Sequence, residues 1–249
     1  MIIDCISDLH GFYPELKGGD LLIVAGDLTA ADKPVEYGQF SSWIDRQKYS
    51  KKILIAGNHD NYFQKKGFES IQNVYSDINV EYLCDSGTEF EYEVQVDHPA
   101  STDRASIDVL CYERRKWKIW GSPWTKTFEG MNPHCRAFTC DTEEQLWEKW
   151  CLIPHGTDIL ITHSPPKMVL DQVCYINEGE DEAEHVGSST LYIVLKYAVR
   201  PKLHVFGHIH EAYGQGNFFS GYCADVISVN ASYVNERYKP VNKPVRVIL

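Results

Sequence analysis

The sequence predicts an α/β fold, and three observations carry that expectation. Five short apolar runs, at 1–6, 21–26, 52–57, 158–163 and 203–208, are rich in Ile, Leu and Val and of strand length. These runs are apolar on both faces, which suits strands of a sheet covered on both sides. Segments with helical spacing lie between them. With 249 residues, 43% of them hydrophobic, the chain can bury one sizeable core, and residues 1–249 read as a single domain.

The elements follow in chain order. The run at 1–6 passes straight into the polar segment Ser7-Asp8-Leu9-His10, and that at 21–26 ends in Gly26-Asp27. The spacing of Val35, Phe40, Trp43 and Ile44, with Pro34 near the start, predicts a helix over 33–49. The strand at 52–57 ends in Gly57-Asn58-His59-Asp60. Over 80–120 the pattern alternates around a turn-rich centre, which predicts an antiparallel hairpin carrying an insert at about 97–113. Residues 141–150 open with Asp141 and Thr142 as caps and acidic residues in the first turn, predicting a helix. A further helix is expected over 188–199, after Gly187 and before Pro201. The acidic segment 177–185 reads as a solvated loop, and the last stretch as two closing strands.

Composition narrows the function. A net charge of −11 and a pI near 5.3 argue against gripping a nucleic-acid backbone over many phosphates. A small phosphorylated substrate stays open, because a local metal site reverses the sign of the field. The eight cysteines form no CxxC pair, so a zinc ribbon has no support, and they read as reduced core fillers. The N-terminus lacks the basic and apolar regions of a signal peptide, and no run is long enough to span a membrane. The expectation is a cytoplasmic protein without a membrane partner.

All five apolar runs end in Asp, Asn or His, and the carboxyl ends of strands are where open α/β sheets bind ligands. The set comprises Asp8, His10, Asp27, Asn58, His163, His208 and His210. Two carboxylates, an amide and four imidazoles, with no thiolate, suit two divalent ions, with Mn or Fe first and Zn, Co or Ni as the other options. Asp27, from a central strand, is the natural bridge between the ions. Such a pair holds a hydroxide and clamps an anionic substrate. Singly, each motif has a plainer explanation: Asn58-His59-Asp60 alone could cap a helix. Together, in this order at five strand ends, the plain account needs five coincidences.

The ordered set Asp8-x-His10, Gly26-Asp27, Gly57-Asn58-His59-Asp60, His163 and Gly207-His208-x-His210 resembles the calcineurin-like metallophosphoesterase superfamily. Stretches 121–128, 158–166, 201–214 and 229–248 resemble its small branch of metallophosphoesterase-domain-containing proteins. The resemblance implies a four-layer αββα sandwich of two mixed sheets flanked by helices. It also implies roles: Asp8, His10 and His210 on a first metal, Asn58, His163 and His208 on a second, and Asp27 between them. His59 would donate the proton and touch the phosphate, Asn58 would also face the substrate, and Asp60 would orient the His59 ring. An unligated imidazole suits the donor role, because it ordinarily titrates near neutral pH.

The expected activity is hydrolysis of a small phosphodiester, with a cyclic nucleotide as one form of it, by a metal-bridging hydroxide. The same residues leave open a phosphomonoesterase or protein phosphatase, and a nucleotide-binding scaffold with little turnover. Trp124 and His134 are candidate pocket residues, with Asn132 and Arg136 beside them in a loop that would face substrate.

Overall fold

The computed structural model describes residues 1–96, 111–128, 130–177, 180–219 and 225–249. Its strands are β1 (Ile2–Ile6), β2 (Gly19–Ala25), β3 (Tyr49–Ile55), β4 (Val80–Tyr82), β5 (Ser86–Val96), β6 (Cys111–Ser122), β7 (Thr125–Lys126), β8 (Thr139–Cys140), β9 (Ile159–Thr162), β10 (Gln172–Asn177), β11 (Glu180–His185), β12 (Leu203–Phe206), β13 (Gly214–Phe218), β14 (Val226–Asn230) and β15 (Val245–Ile248). Its α-helices are α1 (Pro34–Asp45), α2 (Asn61–Lys66), α3 (Phe68–Ser76), α4 (Glu143–Trp150) and α5 (Ser189–Val194), the last continuing as a π turn over Leu195–Val199.

Two mixed sheets face each other. One has the order β15-β1-β2-β3-β4 and the other β13-β14-β12-β9-β6-β5. In the first, β1 to β4 run parallel and β15 closes the edge antiparallel; in the second, β6, β9, β12 and β14 are parallel between antiparallel edges.

Side-chain alternation along each strand builds three hydrophobic layers. Ile3, Cys5, Leu21, Ile23, Ile53 and Ile55 point inward and meet Ile119, Ile159, Ile161, Leu203, Val205 and Val229 between the sheets. Leu22, Val24 and Leu54 point the other way, against Phe40, Trp43 and Ile44 of α1 and Ile71 and Tyr75 of α3. Leu160 meets Leu146 and Trp150 of α4 and Leu191 of α5 behind the second sheet. The result is the expected helix–sheet–sheet–helix stack. Burying each large aliphatic side chain contributes about 1.5–3 kcal/mol, and both the inter-sheet layer and the layer under α1 and α3 are rich in such side chains.

Several expectations need correction. The first helix ends at Asp45, and Tyr49 already begins β3, because Tyr49 pairs with Gly19 at the start of β2. Helices α2 and α3 were not expected, nor was β13. The acidic segment is not wholly a loop: Glu180–His185 pairs antiparallel with Gln172–Asn177, so backbone pairing overrides the charge run. The insert at 97–113 lies mostly outside the described residues, with 111–113 beginning β6. The long β5–β6 hairpin matches the reading of 80–120.

His204 on β12 is fully buried. The Thr162 hydroxyl donates to the Ser164 carbonyl at 2.6 Å, so it accepts from His204 Nε2 at 2.8 Å. That fixes the neutral Nε2–H tautomer and leaves Nδ1 buried without a partner. Burial pushes the His204 pKa down to about 3. The unfolded chain therefore takes up this proton first as pH falls below about 6.5, and folding stability is lost on the acid side. Urea unfolding should show wild type losing about 2 kcal/mol more than His204→Gln between pH 7 and pH 5. An identical loss in both would assign the acid sensitivity elsewhere.

Candidate metal centre

The carboxyl ends of β1, β2, β3, β9 and β12 converge at one end of the sandwich, and backbone bonds within and between the sheets hold them there. The Ser7 N–H donates to the Ala231 carbonyl and the Tyr233 N–H to the Ser7 carbonyl, both at 2.8 Å, which ties the extension of β1 to that of β14. The Gly207 N–H donates to the His163 carbonyl at 3.1 Å, which ties the end of β12 to that of β9.

Asp8, His10, Asp27 and His208 have positive φ angles of 50°, 42°, 55° and 71°. Left-handed backbone at non-glycine residues costs about 1–3 kcal/mol each and gathers at functional sites. The glycines between them answer to crowding. A Cβ on Gly57 would collide with Asp27 Oδ1, one on Gly207 with Asp8 Oδ2, and one on Gly26 would lie 2.6 Å from His163 Nδ1.

These strand ends bring all seven expected donors together. His210 Nε2 lies 3.3 Å from Asp8 Oδ1, and His10 Nε2 lies 3.8 Å from Asp27 Oδ2. His163 Nε2 lies 3.4 Å from Asp27 Oδ2 and 3.0 Å from Asn58 Oδ1. The His208 ring sits 5.1 Å from that of His163. Three trios, Asp8–His10–His210, His10–Asp27–His59 and Asp8–Asp27–His163, each keep their ligand atoms within 4.8 Å of one another and could hold a metal ion.

Groups behind the donors aim them. The Ala25 carbonyl accepts from His163 Nδ1 at 2.9 Å, and the Asn235 carbonyl from His210 Nδ1 at 3.2 Å. Both imidazoles therefore present Nε2 to the cluster. The Asn58 amide donates to the Cys135 carbonyl at 3.0 Å, which turns its oxygen inward. Asp8 accepts from the Ser232 hydroxyl at 2.7 Å and from the His208 N–H at 3.0 Å.

Burial works to raise the Asp8 carboxyl, but the hydrogen bond and charge of His210, with the charge of His163, hold it below the usual carboxylate range. For Asp27 burial again opposes ionisation, and His163 and His59 overcome it. Burial pushes His10 down to about 4 against the pull of both carboxylates. His208 falls to about 3 through burial and the charge of neighbouring His163. On His163 burial is outweighed by Asp27 and Asp8, which raise it to about 9. The ionised carboxylates and the neutral His10 and His208, with His10 Nε2 buried without a hydrogen-bond partner, suit divalent cations, and the protons that Asp27 and Asp8 favour on His163 and His210 would be released as cations bind.

His59 lies within reach of Asp27, its Nε2 3.9 Å from Asp27 Oδ2, and is half-buried. Its other nitrogen, Nδ1, faces Cys135 Sγ at 3.3 Å. Asp60 does not orient this ring as the resemblance implied. Its carboxylate is taken up by the N–H groups of Gly57, Asp27 and Leu28 at 2.8, 3.0 and 3.2 Å and by the Tyr37 hydroxyl at 3.0 Å. Asp60 therefore buttresses the turns after β2 and β3. Burial and the charge of Asp27 push it up to about 7.

A cavity of about 260 Å³ lies over the cluster, lined by Asp27, Asn58, His59, His208 and His210, by the buried Met131, and by Phe128, Glu211, Glu236 and Tyr238 around its mouth. The Tyr238 ring stands 4.8 Å from that of His10 and 5.2 Å from that of His210. Neither Tyr238 nor Cys135 was singled out from sequence, because each reaches the site across a long separation from the strand-end motifs. Trp124 does not line the cavity: its indole N–H donates to Asp85 at 2.7 Å and its ring carries the Lys149 ammonium. His134 and Asn132 line an adjoining cavity, and Arg136 is exposed and lines neither.

A family model for calcineurin-like phosphoesterases matches residues 1–212. The chain belongs to the calcineurin-like phosphoesterase family. It is 35% identical over 251 residues to metallophosphoesterase domain-containing protein 1 of Homo sapiens, covering 98% of this chain and 70% of that protein. The Mus musculus protein of that name gives the same values. A UPF0046 protein of Caenorhabditis elegans is 32% identical over 263 residues, covering 97% of this chain and 58% of its own length. A solved crystal structure superposes with a TM-score of 0.55 at 14% identity, over 92% of this chain and 89% of that one, which supports the fold. As a calcineurin-like phosphoesterase the chain is a metal-dependent hydrolase of phosphate esters. Among the described residues no helix is long and apolar enough to cross a membrane.

Gly57→Ala should displace Asp27 and weaken manganese binding about ten- to a hundredfold, the usual cost of disturbing a ligand's support. Bound metal after dialysis, measured by mass spectrometry, reads this directly. Gly38→Ala, where a Cβ meets nothing within 4 Å, should bind metal like wild type.

Proposed function

We propose that this phosphoesterase hydrolyses a small phosphodiester with two divalent cations, manganese or iron first and zinc, cobalt or nickel as the alternatives. The convergence of the seven donors beside His59 carries the reading. Asp8, His10 and His210 would hold one cation, Asn58, His163 and His208 the other, and Asp27 both. When bound, the pair supplies an acidified water and neutralises charge on the phosphoryl oxygens.

The remaining work falls to the chain's own groups. His59 stands at the cavity wall with Nε2 toward Asp27, and there it can give a proton to the departing alkoxide. The Cys135 thiol, donating to Nδ1, would keep that proton on Nε2. Asn58 faces the substrate from beside His163, and Asp60 keeps the Gly57 and Asp27 turns in place. Glu211 and Glu236 stand at the cavity mouth, and no Lys or Arg lines it among the described residues. That charge pattern favours a singly charged diester over a doubly charged monoester.

A single domain over 1–249 is supported by the hydrophobic layer both sheets share. A reducing, cytoplasmic setting is supported by free Cys5, Cys84, Cys135, Cys140 and Cys151.

Manganese-reconstituted protein should turn over bis-p-nitrophenyl phosphate at least tenfold faster than p-nitrophenyl phosphate, with cyclic nucleotides as the next probes. Asp27→Ala and His59→Ala should each lower the diester rate about a hundredfold or more. Undiminished turnover in Asp27→Ala would rule out the assignment, and a monoester preference would favour a phosphomonoesterase.

A further inference from the structure

The cavity above the donor cluster is one of two that share a wall. The second, about 490 Å³, is lined by Ala30, Ala31, Asp32, Asn61, Pro133 and His134, and it meets the first at His59, Asn132 and Cys135. Of the donor cluster and its histidine, His59 alone borders both cavities.

A phosphodiester has two alcohol arms, and an in-line displacement treats them differently. The reaction forms one P–O bond from water and breaks the P–O bond to the leaving alcohol. That alcohol departs with a proton from His59, the product phosphomonoester sheds the water's proton, and His59 recovers its own from solvent. A proton donor must therefore stand beside the leaving oxygen. The leaving oxygen then stands at His59 Nε2, on the cluster side of the ring, and the rest of that alcohol can extend past His59 into the second cavity that the ring also lines. The retained arm stays in the first, under Tyr238.

We infer that the second cavity is the leaving-alcohol subsite and that it selects an uncharged, hydroxyl-bearing alcohol of the glycerol or sugar class. This rests on the phosphodiesterase reading above. The lining carries the selection. Asn61 Nδ2 donates to the His134 carbonyl at 2.6 Å, so its oxygen remains an acceptor. Asn132 Oδ1 accepts from the His134 N–H at 3.0 Å, so its amide hydrogens remain donors. The exposed His134 ring adds a third polar group. Asp32 already accepts from the Tyr37 hydroxyl at 2.7 Å and the Tyr62 N–H at 3.0 Å, and it contributes negative charge. No Lys or Arg lines this cavity among the described residues, so a carboxylate on the leaving alcohol would meet no counter-charge.

Methyl 2,3-dihydroxypropyl phosphate tests this, because either arm can leave and the product names the arm. The manganese-loaded protein should release glycerol over methanol by at least tenfold, and His134→Leu should lower that ratio about three- to tenfold. Methyl 2-carboxyethyl phosphate should react at least tenfold more slowly. Binding gives a second reading in metal-free protein: the glyceryl diester should shift the His134 ring resonances and leave those of His155 unmoved. Equal release of the two alcohols, an unshifted His134, or failure to cleave the glyceryl diester while bis-p-nitrophenyl phosphate turns over would overturn the subsite and leave the phosphodiesterase reading standing. No turnover of either diester would remove both.

Discussion

Two buried carboxylates set the terms for everything around them. Asp8 and Asp27 sit at the seam where the sheets meet, almost without access to water. Removing a carboxylate from water costs several kcal/mol unless donors and counter-charge compensate. Here the donors are the His208 and His59 N–H groups and the Ser232 hydroxyl, and the counter-charge comes from histidines. The compensation is drawn from both sheets, so the carboxylates also fasten the two halves of the fold to one another. A third carboxylate, Asp60, gathers three backbone N–H groups instead and shapes the turns that present Asp27.

Crowding explains the local sequence. At Gly57 and Gly207 any side chain would enter the space of a carboxylate oxygen. Close packing at these glycines and left-handed backbone at the neighbouring Asp and His residues are two sides of one demand. Many ligand atoms must reach a small volume from strands about 4.8 Å apart in each sheet.

The strands that carry the site were legible because their apolar runs stop abruptly at Asp, Asn or His. The inter-sheet core was legible for the same reason, as runs apolar on both faces. Helices α2 and α3 were not, since each is short and they meet at Gly67, which reads as a loop signal. The hairpin strand Glu180–His185 was hidden because its composition favours solvent and only pairing with Gln172–Asn177 orders it. Cys135 lies 76 residues from His59, and Tyr238 stands over histidines from the far end of the chain. No local pattern encodes such contacts. Trp124 looked like a pocket wall because it follows Gly121-Ser122-Pro123, yet Asp85 and Lys149 claim it for the core's edge.

The donor cluster and the cavity walls come from separate parts of the chain. Strand ends, held by sheet bonds and by glycines at which a Cβ would collide with a ligand atom, supply the cluster, while Phe128 and the loops at 131–135 and 235–238 supply much of the walls. Substitutions in those loops leave the strand bonding and the inter-sheet core untouched. Inheritance can therefore act on the two at different speeds. A lineage built on this architecture can change what it recognises by redrawing the loop residues around Cys135, while the strand ends keep the donor cluster in place.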